Sequence, residues 1–492
     1  MSTPSLATTD IDHLARETLR LLGPAPENWV PAHPGIGHNV AIVGGGQSGS
    51  AYAFALARAG IGRVTVLDAA RDGAQAGVWR TRARMHKLRT PKSLVGPELG
   101  LPTLGFQAWY ESRHGQAAYA AIDRIPRLLW ADYLDWFRGF LGVAVRYGTR
   151  LTRIEPVAAG DDGAVPHFRL HLLVDGRAQV ETARKIVLAS GVDGNGRPFV
   201  PEVLQEAAAA GLAAHTADAI DFDALRGKTV AVLGAAASAF DAAAVALEAG
   251  ATAVHLFARR DHIAATPVSR VRGYPGLYDN YHALPDAVRW EQALRFRRSG
   301  STPMTDGIER VLQHANFHLH LAAPWTSAAV QGQRVSTRVH GESFAFDYVI
   351  AGTGYQVDPS ARPELADVAP HILRWRDRYA PPATLRDDDL AASPYLGTGL
   401  EYLEKTPGTA PWLRHIHVHN PGGFASVGVP LGDVPSMRRD IPTAVARIGR
   451  DLLLGDLAQH AQRIRADVPP DFSSALYASA LWKPARAYGA AA

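Results

Sequence analysis

The chain of 492 residues contains no cysteine. That absence excludes a disulfide scaffold, a cysteine-ligated zinc or iron–sulfur site and a thiol nucleophile, and with them any enzyme that relays electrons through a Cys-x-x-Cys pair. Long hydrophobic runs are missing as well. No stretch approaches the roughly 18 consecutive apolar residues that a membrane-spanning helix needs, and the Ala-rich run 207–214 is too short and too weakly apolar. An excess of one charge is also lacking: 51 Lys+Arg against 47 Asp+Glu leaves +4, too little over this length to argue for a nucleic-acid partner. The first residues carry Asp10, Asp12 and Glu17 and no apolar core, so they do not read as a secretory signal, and the expected location is the cytoplasm.

What is there is an ordinary globular composition, 47% apolar and 20% charged, with 46 Gly and 33 Pro. The length exceeds what one core serves, so two or three domains are expected. Residues 1–37 read as an arm, with a short helix over 11–22 capped by Asp10 and a Pro/Gly-rich strap over 23–37. At 40–43 a short apolar run meets a glycine turn, followed by a helix to Arg58, Gly60 and a strand 64–68 that ends on Asp68. That is one βαβ unit. The succession recurs at 229–233, turn 234–239, a helix to about 247, and a strand 253–257. Between the two units, strands are expected at 143–145, 168–174 and 185–189, after a helix at 130–140 with Trp130, Leu134 and Phe137 on one face. Residues 262–305, rich in aromatics and Arg and broken by Pro, read as an insertion, strand signal returns at 347–351, and one convincing helix covers 440–454.

The turn Gly44-x-Gly46-Gln47-Ser48-Gly49 has the spacing of a dinucleotide-binding fingerprint. Gly44 permits the tight turn, Gly46 lets backbone approach a pyrophosphate, and Gly49 lets helix and strand pack closely while the helix N-terminus faces the anion. Asp68, 19 residues after Gly49, stands where a carboxylate accepts from a ribose hydroxyl. The second turn keeps Gly234 but has Ala236 and Ala239 for the later glycines, with Ala237 and Ser238 between them. Its second strand runs into Arg259-Arg260 rather than an acid, and arginines suit a 2′-phosphate, so NADPH is expected there rather than NADH; surface charge is the other reading.

An acid after the first fingerprint and arginines after the second pair FAD with NADPH, and here the sequence resembles the two-dinucleotide flavoproteins, within them the class B flavin monooxygenases, over most of residues 38–455. Ala189-Ser190-Gly191 looks like the family's crossing from the FAD to the NADPH domain, and Ala351-Gly352-Thr353-Gly354-Tyr355 like the motif of return. Gly77-Val78-Trp79 matches the Gly-x-Trp that follows the first strand pair, and Gly227-Lys228 to Ser238-Ala239-x-Asp241 is similar to the second turn. Departures bear on the chemistry. Gly211 and His215 keep the spacing of the fingerprint upstream of the second turn, but Ala209 and Ala219 replace its aromatics and Ile220 the Baeyer–Villiger Pro. In Leu88-Arg89-Thr90-Pro91-Lys92, Arg89 stands where flavin-containing monooxygenases have Asn, and an arginine there is suited to gripping a substrate carboxylate.

The resemblance implies an α/β protein of two Rossmann-like domains, the FAD domain (38–195 and 346–492) interrupted by the NADPH domain (196–345) with its insertion at 262–305. It implies FAD contacts at Gly44, Gly46, Gln47, Ser48, Gly49, Asp68, Val78, Trp79, Thr90, Ser190, Gly191, Phe424 and Asp433. NADPH contacts are implied at Gly234, Ala237, Ser238, Arg259, Arg260 and Gly354, with Arg89 and Asn280 as candidates for the reacting centre. The segment 422–436 is expected to close on the flavin ring. The basic run Arg80, Arg82, Arg84, Lys87, Arg89, Lys92 either draws in phosphates or an acidic substrate or is a solvated strip. His415, His417 and His419 share one strand face without an accompanying carboxylate, so no metal is expected. The implied activity is oxygen insertion through a C4a-(hydro)peroxyflavin formed from FAD, NADPH and O2, with N-hydroxylation of a small amine or amino acid favoured. Baeyer–Villiger or sulfur oxygenation is the alternative. An NADPH reductase or oxidase without oxygen insertion is the next, and a flavin-binding module without turnover is a class that the two nucleotide turns argue against. Lack of cysteine removes the disulfide-reductase branch of the same architecture. A homo-oligomer is compatible with the sequence.

Overall fold

The computed structural model describes residues 10–158, 165–268 and 274–483. Two parallel sheets organise it. In the first, Val145–Arg146, Val64–Leu67, His38–Val43 and Arg177–Leu188 lie side by side and parallel. The long strand Arg177–Leu188 also pairs with Ile416–Val418 and continues antiparallel into His167–Val174 and Thr149–Val157. The second sheet has five parallel strands in the order Ala213–His215, Tyr348–Ala351, Thr229–Leu233, Ala253–Phe257, Phe317–His320.

Each sheet centres on an apolar strand buried on both faces, as parallel sheets covered by helices require: Val40, Ala41 and Ile42 in one, Val230, Ala231 and Val232 in the other. After each strand the backbone enters the left-handed region at a glycine, Gly44 at φ +109° and Gly234 at φ +123°. No larger residue fits: a Cβ on Gly44 would lie 2.3 Å from the Ala189 carbonyl oxygen, and one on Gly234 2.2 Å from that of Gly352. Gly49 is as constrained, 1.9 Å from the Gly44 oxygen. In the second unit Ala239 takes the place of that glycine, and the small residue is supplied by the facing strand end, where a Cβ on Gly352 would come 2.6 Å from that of Ala239.

Two features differ from the sequence expectation. Tyr348–Ala351 pairs with Thr229–Leu233 and Ala213–His215, so a return to the first domain at 346 would cut a strand from the sheet that holds it. The chain leaves the second sheet after 351 through Tyr355–Val357, which pairs antiparallel with Gly196–Pro198 to form a two-stranded ribbon between the units. The expected insertion 262–305, of which 269–273 lie outside the described residues, is not an appendage of the second unit. Its helices Pro275–Asn280 and Asp286–Ser299 pack on the first: Trp290 lies 5.9 Å from Trp375, and Phe296 4.6 Å from Phe424. The helix expected in the arm is present as Ile11–Leu21, with the Asp10 side chain accepting from the Asp12 amide; residues 1–9 of the arm lie outside the described residues. Among the described residues no helix is long and apolar enough to cross a membrane.

Candidate active site

The helix Gln47–Arg58 opens at Gly46 with no side-chain cap, so its first-turn N–H groups point out of the glycine turn. A Cβ on Gly46 would meet nothing within 4 Å. Open space over uncapped amides is the cradle that a pyrophosphate fits. Asp68 closes one side: its carboxylate accepts from the Gly45 and Ala70 amides, both at 2.8 Å. Ser48 and Gly49 are buried beneath the turn. The Gln47 side chain is held within the protein, its amide donating to the Gly432 carbonyl at 2.7 Å and accepting from the Trp130 indole at 3.1 Å. It ties the turn to the segment expected to close on a flavin. Trp79, with Val78 in the loop before it, packs against the first core and offers its carbonyl to Arg127. Ser190 and Gly191 begin the turn Gly191–Asn195 at the end of the long central strand, next to Gly44.

Opposite this cradle, the helix Val434–Gly455 opens at Asp433, again without a side-chain cap. It begins six residues before the expected 440, because Pro435 stands in its first turn, where proline is tolerated, rather than breaking it. Asp433 stays open to solvent at the mouth of this helix although protein surrounds it closely. Burial pushes that carboxyl up to about 6, against the pull of Arg89. Phe424 starts the short helix Phe424–Val427, wedged against the insertion. The loop between them is pinned from outside: Tyr278 donates to the Pro435 carbonyl at 2.5 Å, and the Arg439 guanidinium lies 4.2 Å over the Tyr278 ring. Beneath it, buried Arg289 sits 5.1 Å from the Trp375 ring and pairs with Asp286 and Tyr395. No motif in the sequence marks Tyr278 or Arg289, since Pro435 and Tyr395, which they meet, stand more than a hundred residues away. Asn280 is exposed and donates to the Gly276 carbonyl at 3.0 Å inside its own helix.

The second cradle repeats the first. Helix Ala237–Glu248 opens at Ala236 without a side-chain cap, Ser238 is exposed there, and Ala237 lies beside it. Gly354, at φ +82°, accepts from the Phe199 amide in the ribbon. The two arginines diverge. Arg260 donates to the Ser299 carbonyl at 3.0 Å and caps a helix end, whereas Arg259 is exposed with no partner among the described residues.

Thr90 and Arg89 lie on the strand Lys87–Pro91, where the two units meet. Five of the six residues of the basic run are taken up by the protein itself. Arg80 pairs with Asp132 and Asp135 at 2.6 Å, and Lys87 with Asp123 at 3.0 Å. Arg82 donates to the Ala217 carbonyl and Arg84 to those of Thr216 and Asp218 in the second unit. Lys92 donates to the carbonyls of Tyr119 and Ile122. Arg89 alone is exposed with only a neutral partner, the Ser301 hydroxyl at 3.3 Å. Its charge acts on Asp433 from one side and on Asp241, in the helix of the second cradle, from the other; burial pushes Asp241 up to about 6. A fixed cation therefore stands at the junction of two anion-binding cradles.

Of the three histidines of one strand face, His417 and His419 are buried in the first core and His415 is partly buried beside it. His417 Nδ1 lies 2.8 Å from the Gly399 carbonyl, and His419 Nδ1 3.3 Å from the Tyr52 hydroxyl.

Comparison with known proteins agrees with this geometry. A family model described as FAD-NAD(P)-binding matches residues 41–193. An FAD-dependent urate hydroxylase of Xanthomonas campestris pv. campestris is 38% identical over 454 residues, 92% of this chain and 94% of that protein. Among solved structures, the ornithine hydroxylase of Pseudomonas aeruginosa superposes with a TM-score of 0.66 at 19% identity, covering 84% of this chain and 99% of that one. The ornithine N-hydroxylase of Kutzneria sp. 744 superposes at 0.63 and 18% identity, covering 84% and 99%. At such identities the structural likeness concerns the fold.

Proposed function

The chain belongs to the class B flavin-dependent monooxygenases, and from that premise we propose that it uses NADPH and O2 to hydroxylate a small, anionic, electron-rich ring compound of the urate type. The observation that carries the reading is Arg89, the one exposed member of the basic run, held only by the Ser301 hydroxyl at the junction of the two cradles. Bound FAD supplies the redox and oxygen-transfer chemistry. The residues of this chain supply the rest. The uncapped amides after Gly46 and the Asp68 carboxylate suit the FAD pyrophosphate and ribose, and Arg259 suits the 2′-phosphate of NADPH. Arg89 presents a planar fork of donors to an anionic ring edge or a carboxylate. The loop 424–436, pinned by Tyr278 and Arg439, forms a wall that keeps water from the reacting centre. Two electrons from NADPH balance the reaction: one oxygen atom enters the substrate and the other leaves as water.

The choice of a urate-type ring over an amine rests on the similarity, across nearly the whole chain, to a protein named for urate. The same guanidinium would hold an amino acid's carboxylate, which keeps N-hydroxylation of a small amino acid as the second reading. Purified enzyme with FAD is offered NADPH in air with urate, ornithine, lysine or a cyclic ketone, and NADPH, O2 and hydroxylated product are followed together. Urate-dependent NADPH and O2 consumption in equal amounts is expected. Stimulation by an amino acid with hydroxylamine product moves the assignment to the second reading. NADPH consumption yielding only hydrogen peroxide with every compound would falsify oxygen insertion.

A further inference from the structure

Beyond helix Leu457–Ile464 the chain makes a segment that the rest of the molecule does not cover. Every residue from 462 to 483 is exposed, yet the side chains are not those of a polar linker. Val468, Phe472, Leu476, Tyr477, Leu481 and Trp482 are all solvent-facing, Val468 and Trp482 at 82% and 83%. Pro469 and Pro470 keep the segment from continuing the helix, and its backbone hydrogen bonds are local, as from Leu476 to Ser473 and Ala480 to Tyr477. Its charges cancel, Arg465 and Lys483 against Asp467 and Asp471. That leaves no electrostatic footing for nucleic acid or an anionic membrane.

The root of this segment fixes where it starts. Asp456, fully buried, holds the Arg184 guanidinium at 2.7 and 2.9 Å and lies 2.8 Å from His33. His33 in turn lines an open cleft of about 870 Å³ with Ile36, Arg63, Val180 and Glu181. Val180 is shared with a second recess of about 410 Å³, walled by Leu172, Leu173 and Ala178. Val180 is 55% exposed although the root of the apolar segment is close by, so the described residues do not fill this cleft. The root of the arm and the cleft therefore meet at His33, which places them side by side. That is the condition for a self-complementary twofold interface, in which the same patch serves both subunits.

We propose that residues 465–483 are an exchange arm that lays its apolar side chains in the His33–Val180 cleft of a second copy of this chain, while the second copy's arm occupies the first. Nineteen residues reach up to about 60 Å when extended, enough to cross a twofold axis. The three aromatics alone carry on the order of 150–250 Å² each. Two arms with the surfaces they cover therefore reach the roughly 1,200–2,000 Å² of a specific interface.

The cysteine-free chain offers a clean test. Trp482→Cys and Val180→Cys are introduced together, each single variant serving as control, and a short bis-maleimide is added. A covalent species of twice 52.7 kDa in the double variant is expected. Light scattering of the unaltered protein gives the same doubled mass, and both Val180→Asp and a chain ending at residue 464 run as monomers with flavin absorbance retained. Cross-linking confined within one chain, a monomeric unaltered protein at micromolar concentration, or a dimer that survives either variant overturns the proposal. Arm-dependent flotation of the unaltered protein with phosphatidylcholine vesicles also overturns it, and assigns the arm to a lipid surface.

Discussion

Arg89 and Arg259 are surface arginines of similar exposure, and their surroundings give them different work. Arg89 has only a hydroxyl partner, with the carboxyls of Asp433 and Asp241 within electrostatic reach, and on the proposed reading an anionic ligand completes its coordination. Hydrogen bonds to charged groups are worth roughly 1.5–3 kcal/mol, and Arg89→Ala is expected to raise KM for the anionic substrate by about 10- to 100-fold. NADPH affinity and flavin content stay unchanged, and Arg89→Lys recovers part of the loss, since an ammonium keeps the charge without the fork. Steady-state kinetics on the three proteins check this; an unchanged substrate KM in Arg89→Ala removes the anchor. Arg259 and Arg260 provide the second residue-scale contrast. Arg259→Ala is expected to raise KM for NADPH by about tenfold or more with NADH unaffected, because only the former carries the 2′-phosphate. Arg260→Ala removes the donor to the Ser299 carbonyl and is expected to lower the melting temperature while leaving the NADPH-to-NADH preference intact. Equal preferences for both cofactors in Arg259→Ala and the unaltered enzyme count against the assignment.

Among the elements, the strand Ile416–Val418 with its flanking histidines makes a pH-dependent core. Burial, aided by the nearby Lys185 charge, lowers His415 to about 2 and His417 to about 3, and burial alone lowers His419 to about 3. A histidine whose folded value lies below its unfolded 6.5 gives stability that is present above 6.5 and lost as pH falls, by about 2 kcal/mol each at pH 5. Burial acts oppositely on Asp241 and Asp440, each raised to about 6, whose contribution is complete below 3.8 and fades as pH rises through 6. Their gain from pH 7 to pH 5 is about 1 kcal/mol each, so the histidines win and the melting temperature is expected to fall over that interval. His419→Phe keeps the edge contact with Tyr52 but removes one titrating group, and its melting temperature should fall less steeply; an unaltered slope rules out this source. Elements also differ in how far the sequence shows them. The turn at Gly44 and the helix after it were readable because their constraints are local, within six residues. The strand Thr149–Val157 was not expected: a register shift between Leu151 and Arg153 breaks its two-residue alternation, so Arg150, Arg153 and Glu155 hide a strand that buries Leu151 and Ile154.

On the scale of the whole molecule, the two nucleotide-binding units were legible from their repeated turns, while the way they are joined was not. No short-range pattern announces that the insertion helices pack on the first unit, or that Arg84 reaches Thr216 and Asp218 in the second. Besides those contacts, the join includes the ribbon Gly196–Pro198 with Tyr355–Val357 and one buried arginine. Arg310, 5% exposed, holds Glu248 at 2.8 and 2.9 Å, lies 3.5 Å from Asp241, and donates across the boundary to the Arg84 carbonyl at 3.0 Å. Removing it leaves Asp241 buried without its nearest cation. Breaking a buried pair costs about 3–5 kcal/mol, and the partial exposure of Glu248 places this case at the low end or below. Because the loss falls on both the second unit and the bond that carries Arg84, Arg310→Ala is expected to lower the melting temperature by several degrees and to split a single calorimetric transition into two. The second unit should melt first. Limited proteolysis should then cut the ribbon before either sheet, and NADPH should bind more weakly while flavin content is preserved. If Arg310→Ala still unfolds in one transition, the ribbon and the other contacts between the units make the molecule cooperative, and the contact between Arg310 and Arg84 is incidental to how the two cradles are kept facing each other.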